Sequence, residues 1–111
     1  MNYNQNITRY YYGINAVYPH FTTIFLYNGN KLAGRIYFEP SNKPKLTPHR
    51  FESGHPVLYF RQSMMVQIVD MLRNEAPIWL WAIVNGTQIS NAVLGTDYAE
   101  PIGEGEQIRP N

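Results

Sequence analysis

Residues 63–85, SMMVQIVDMLRNEAPIWLWAIVN, constrain the fold more than any other stretch. At 100° per residue, Met71, Met64, Ile68, Leu72, Met65 and Val69 fall within one arc of about 160°. Gln67, Asp70, Arg73 and Asn74 lie opposite. The spacing predicts one amphipathic helix. Ser63 is expected to cap it, its hydroxyl accepting from an otherwise orphan N–H. Pro77 ends the helix and biases Ala76 toward extended backbone. Residues 78–84 then alternate Ile78, Leu80, Ala82 and Val84 with Trp79, Trp81 and Ile83. That is the pattern of a central strand, apolar on both faces. The three methionines read as core filler, with an adaptable binding surface as the alternative.

The rest of the chain reads as strands for this helix to cover. Residues 1–6 are polar and expected to fray. Residues 7–17 form a strand with Tyr10, Tyr12, Ile14 and Ala16 on one face and Arg9, Tyr11, Gly13 and Asn15 on the other. Gly13 marks a bulge or a close backbone approach. Residues 21–27 and 32–38 make a hairpin about Asn28-Gly29-Asn30, because Asn-Gly accepts the positive φ of a tight turn. Gly34 is expected to relieve twist in the second of these strands. Residues 40–48 hold three prolines and no period, so they form a surface loop. A short extended piece at 49–52 and a strand at 56–61 precede the helix. Asn85-Gly86 turns the chain into a last strand at 88–94. Residues 95–111 form an acidic Gly/Pro tail.

The expectation is a single domain over residues 1–111 with an α+β fold. One largely antiparallel, strongly curved sheet of five to six strands (β-β-β-β-α-β-β) packs on one helix. Charged residues make up only 15% of the chain, against nine Tyr, five Phe and two Trp. Aromatic rings suit a pleated surface and also mark interfaces. The strands are apolar on both faces, so a second cover is needed: the curl of the sheet itself, a second copy of the chain, or a ligand. Self-association as a homodimer is the expected partner relation.

Charge is uneven along the chain. Lys31, Arg35, Lys43, Lys45, Arg50 and Arg61 stand against Glu39 and Glu52, a net +4. Asp97, Glu100, Glu104 and Glu106 give −4 in the tail. Either these are solvated loops or the tail lies against the basic middle. The absence of cysteine excludes a disulfide scaffold, a thiolate zinc site and a cysteine nucleophile. No basic-then-apolar leader and no membrane-spanning run is seen, so a cytoplasmic protein is expected.

No cofactor, metal ligand or catalytic residue is assigned. His20, His49 and His55 lack metal spacing. His49, Glu52 and His55 flank a turn and form an acid–base pair only if a carboxylate lies beside an imidazole. No G-x-S-x-G elbow accompanies Ser41, Ser53, Ser63 or Ser90. Gly103 and Gly105 alternate with acids, which repel phosphate.

Cations interleaved with aromatics are the chemical signal. Arg9-Tyr10-Tyr11-Tyr12, Arg35-Ile36-Tyr37-Phe38 and Leu58-Tyr59-Phe60-Arg61 all fall on expected strands. The expected binding face comprises Tyr10, Tyr12, Arg35, Tyr37, Tyr59, Arg61, Trp79 and Trp81. It belongs to a non-enzymatic module that binds a partner protein or a small ligand. Single-stranded nucleic acid is the alternative, because sheets stack bases on rings while cations follow the backbone. Strands followed by one helix are similar in element order to Whirly-type single-strand binders. The likeness includes no motif and departs at the two strands after the helix. A small enzyme built on His49, Glu52 and His55 is the third reading.

Overall fold

The computed structural model describes residues 1–14 and 22–96. Glycine turns set two hairpins. β3 (Thr22–Asn28) returns as β4 (Lys31–Glu39), and β7 (Ile78–Asn85) returns as β8 (Gln88–Thr96). Each turn opens with glycine, Gly29 at φ 62° and Gly86 at φ 66°. Residues with a Cβ avoid that region. The asparagine before each glycine remains the last residue of its strand, Asn28 opposite Lys31 and Asn85 opposite Gln88.

Four further strands complete the sheet: β1 (Asn2–Ile7), β2 (Arg9–Ile14), β5 (Arg50–Glu52) and β6 (His55–Arg61). All eight join one mixed sheet in the order β1-β7-β8-β5-β6-β4-β3-β2. The expected five to six antiparallel strands are therefore corrected, for two reasons. First, β4 and β6 are parallel, Arg35 beside Val57 through Glu39 beside Arg61. A parallel pair needs a long connection. Residues 40–48 supply it, carrying the chain to β5 so that β6 returns between β5 and β4. The loop is anchored at Glu39, which is 3% exposed. Its carboxylate accepts from the Thr47 N–H at 2.9 Å, the Thr47 hydroxyl at 2.7 Å and Lys43 Nζ at 2.8 Å. Burial pushes the Glu39 carboxyl up, and these donors more than reverse it, leaving it below its ordinary value.

Second, the polar start of the chain, where no strand was expected, forms β1. Tyr3 pairs with Ala82 and Ile7 with Ile78, and this registry buries both residues of β1 against the core. The polar look of NYNQNI comes from its outward half, Asn2, Asn4 and Asn6.

β1 and β2 stand at opposite edges of the sheet, yet Thr8 alone joins them. The sheet therefore rolls until its edges meet. The Thr8 N–H donates to Tyr27 O at 2.8 Å, and the Gly29 N–H donates to Thr8 Oγ1 at 2.8 Å. Asn28 Nδ2 donates to Gln5 Oε1 at 2.9 Å, and the Tyr3 hydroxyl to Ala33 O at 2.8 Å. Thr8 also switches parity, since odd residues Tyr3 and Ile7 face the core before it and Tyr10 after it.

Inside the roll lie Ile24, Leu26, Ile36, Phe38, Leu58 and Leu80. Gly34 is part of that packing, because a Cβ there would stand 2.6 Å from Leu80 Cδ2. Its role is close approach rather than relief of twist. The helix α1 (Met65–Asn74) seats Ile68 on the core, with Met65, Val69, Met71 and Leu72 beside it. A 3₁₀ turn (Gln62–Met64) precedes it, so Ser63 lies inside a turn and does not cap the helix. The Ser63 N–H donates instead to Ser41 Oγ at 3.0 Å. Among the described residues no helix is long and apolar enough to cross a membrane. The acidic tail from Asp97 onward, and His20, lie outside the described residues.

Candidate functional site

Period-two alternation sends every second residue of a strand outward. Across β2, β3, β4, β6 and β5 the outward register runs Tyr11, Phe25, Arg35, Val57, Arg50. One step along, Tyr37 stands beside Tyr59. Tyr11 stacks on Phe25 at 5.2 Å between ring centres and on Tyr27 at 5.6 Å. The Tyr11 and Tyr27 hydroxyls are 3.2 Å apart. The Arg9 guanidinium lies 4.7 Å from the Tyr27 ring centre, a cation–π contact. Tyr11 is 52% exposed and Phe25 and Tyr27 are half-buried, so this face is open at its β2 end, whereas Val57 and Tyr59 on β6 are buried.

The run of rings leads to a polar cluster. Arg35 donates from Nε to His55 Nε2 at 3.0 Å, from Nη1 to the Tyr37 hydroxyl at 3.0 Å and from Nη2 to Glu52 Oε2 at 3.2 Å. Arg50 donates from Nε to Glu52 Oε1 and from Nη1 to the Tyr59 hydroxyl. Tyr37 and Tyr59 stack at 5.6 Å. One carboxylate thus bridges two guanidiniums, and each guanidinium also holds a tyrosine hydroxyl. The Arg50 bond, with the Arg50 charge and Arg35 behind it, holds the Glu52 carboxyl below its usual range against the opposing effect of desolvation.

Both imidazoles are neutral acceptors. His55 is 4% exposed, and burial, with the Arg35 charge, holds it below its ordinary value. His49 Nδ1 accepts from the Tyr59 N–H at 3.0 Å, and burial lowers it too. These bonds fix the tautomers and leave Nδ1 of His49 and Nε2 of His55 occupied by protein donors. The cluster brings Glu52 and His55 together around Arg35, whereas His49 stands apart from them, accepting from the Tyr59 N–H and lying beside the Phe60 ring at 6.4 Å.

The sequence-expected face divides in four. Arg35, Tyr37 and Tyr59 meet in the cluster just described. Tyr10 lies opposite Leu26 and packs on the core, whereas Tyr12, on the same side of β2 opposite Ile24, is 47% exposed. Arg61 donates from Nη1 to the carbonyls of Ser41 and Lys43, serving the 40–48 loop. Missed by sequence reasoning were Arg9, Tyr11, Phe25, Tyr27 and Arg50. The alternation separates Arg9 and Tyr11 from Tyr10 and Tyr12, but both sets are aromatic. Only pairing with β3 decides which set faces out.

Trp79 and Trp81 belong to a different outer face, on β1, β7 and β8. Its rows are Asn2–Ile83–Asn91, Asn4–Trp81–Val93 and Asn6–Trp79–Gly95. The Trp79 Nε1–H is buried with no hydrogen-bond partner among the described residues. Among the described residues no group of three or more His, Asp and Glu is placed to hold a metal ion. No family model, no curated protein and no solved structure matches the chain.

Proposed function

We propose that the chain is a small binding module, working without catalysis, whose ligand face is the outer surface of β2, β3, β4, β6 and β5. Its ligand has a flat apolar part and carries negative charge. The observation that supports this is the stack of exposed Tyr11 on half-buried Phe25 and Tyr27, with Arg9 over one end and Arg35 beside the other. Rings held against one another offer a rigid platform at low conformational cost. Arginine beside them adds charge and bidentate geometry.

Single-stranded nucleic acid is the second reading. The five strands from Tyr11 to Arg50 span roughly 19 Å at the usual strand spacing. That length admits more than one stacked base, with a guanidinium at either end. Glu52 opposes both readings locally, since its carboxylate partly neutralises Arg35 and Arg50.

Calorimetric titration with a mononucleotide and with a short single-stranded oligonucleotide tests the reading. Binding of either, weakened about tenfold or more by Tyr11→Ala or Arg9→Ala, is the expected result. Glu52→Gln is expected to tighten it by removing the competing carboxylate. A tighter oligonucleotide complex whose affinity falls steeply with salt selects the nucleic-acid reading. Absence of binding to both probes, or affinity unmoved by Tyr11→Ala and Arg9→Ala, overturns the assignment of this face.

A further inference from the structure

A second face of the sheet has the opposite chemistry. The strands β1, β7 and β8 contain no Lys, Arg, Asp, Glu or His. On their outer side Trp81 lies between Asn4 and Val93, and Ile83 between Asn2 and Asn91. Ile83 is 48% and Val93 46% exposed. These residues line an open depression of about 490 Å³, within the size range of small-molecule sites. No side-chain hydrogen bond joins Asn2, Asn4 or Asn91 to another described residue.

We propose that this depression is a second binding site, and that it takes a neutral saccharide. A sugar ring has one face of C–H groups and a rim of hydroxyls. Trp81, half-buried among the lining residues, has the broadest flat apolar side chain available to that C–H face. Each amide offers two donors and an acceptor, and a hydroxyl is both donor and acceptor, so amides on either side of the ring match the rim in any rotamer. Among the described residues no side chain here offers an anion a cation or a cation a carboxylate, and the Met1 ammonium at the margin is engaged with the Val84 carbonyl at 2.8 Å. A purely apolar ligand would strip water from three amides without replacing their hydrogen bonds. The neutrality of the face separates it from the arginine-bordered face described above, and the inference does not rest on that one.

Saturation-transfer NMR and tryptophan fluorescence of the full chain, titrated with maltose and with cellobiose, read the site directly. A Trp79→Phe background confines the fluorescence to Trp81. Saturable binding of at least one disaccharide is expected. Asn4→Ala and Asn91→Ala should each weaken it about fivefold to tenfold, as the loss of one hydrogen bond does. Trp81→Ala should abolish it. Val93→Arg, an exposed substitution that leaves the core alone, should also abolish it and keeps the test open if Trp81→Ala does not fold. Glucose 6-phosphate should bind no better than glucose. The proposal is overturned if neither disaccharide binds, if binding survives Val93→Arg, or if the phosphorylated sugar binds more tightly. It is equally overturned if light scattering finds a dimer that Val93→Arg dissociates while neither disaccharide binds, which would assign the face to a second copy of the chain. Glu52→Gln leaves this binding unchanged, so its outcome is separable from that of the aromatic–arginine face.

Discussion

Gly34 is glycine because Leu80 fills the place its side chain would take. A methyl group there meets Leu80 Cδ2 at 2.6 Å inside a fully packed core. Gly34→Ala is therefore expected to lower the unfolding free energy by about 1–3 kcal/mol, measured by urea denaturation. His49 and His55 carry a pH consequence. Both are held below their ordinary values in the folded chain. Their neutral forms accept hydrogen bonds that the protonated forms would lose. Stability from them is fully present above the unfolded value, near 6.5, and is lost as pH falls through the folded values. Unfolding midpoints should fall as pH drops from about 6.5, ahead of the carboxylates. A chain with His49→Gln and His55→Gln should show a flatter profile over that interval. Retention of the full slope would place its origin elsewhere. Glu39 and Glu52, held low, extend the loss further toward acid.

Elements differ in how plainly their residues announce them. The two hairpins were legible because Gly29 and Gly86 have a conformational reason to be where they are. The helix was legible from the period of Met65, Ile68, Val69, Met71 and Leu72. Its start was not, because Ser63 satisfies the usual cap composition while the 3₁₀ turn places it one step too early. Ser63→Ala should thus change stability by less than about 0.5 kcal/mol, where loss of a true cap would cost about 1. Ile68→Ala should cost about 2–5 kcal/mol, since Ile68 is the buried contact of α1 with the core. Thermal and urea unfolding distinguish these values readily. β1 was hidden because half of its residues are asparagine and its partner lies about seventy to eighty positions away, Ile7 opposite Ile78 and Asn2 opposite Ile83. The parallel pairing of β4 with β6 was hidden in the same way. Nothing in residues 40–48 says on which side of β6 the chain will pass.

For the whole molecule, the roll answers for one face of the strands only, and Trp81, Ile83 and Val93 stay on the outside of it. The sheet rolls, and its concave side becomes the core. The candidate site was half legible on the same grounds: Arg35, Tyr37 and Tyr59 come together, but which of Tyr10 and Tyr11 faces out depends on the roll. Closure of the roll can be tested at Tyr3, whose buried hydroxyl crosses from β1 to Ala33 on β4. Tyr3→Phe should destabilise by about 1 kcal/mol while leaving Tyr11 and the outer face unchanged. Binding by the aromatic–arginine face should survive that substitution, because none of its residues lies on β1.

The break at Thr8 bears on the order in which the molecule is made. β2 meets β3 within a short span of chain, and β3 meets β4 across a single turn. β1 must hold its backbone donors and acceptors open until β7 exists. Pairings over such separations close slowly, since the entropy of the loop is lost before the contact forms. Synthesis therefore passes through a stage in which the first strand of the chain is an unpaired edge. An Asn-rich, nearly neutral strand with only Tyr3 and Ile7 to bury is well suited to that wait, because it offers water its amides and little apolar surface for a neighbouring chain to seize.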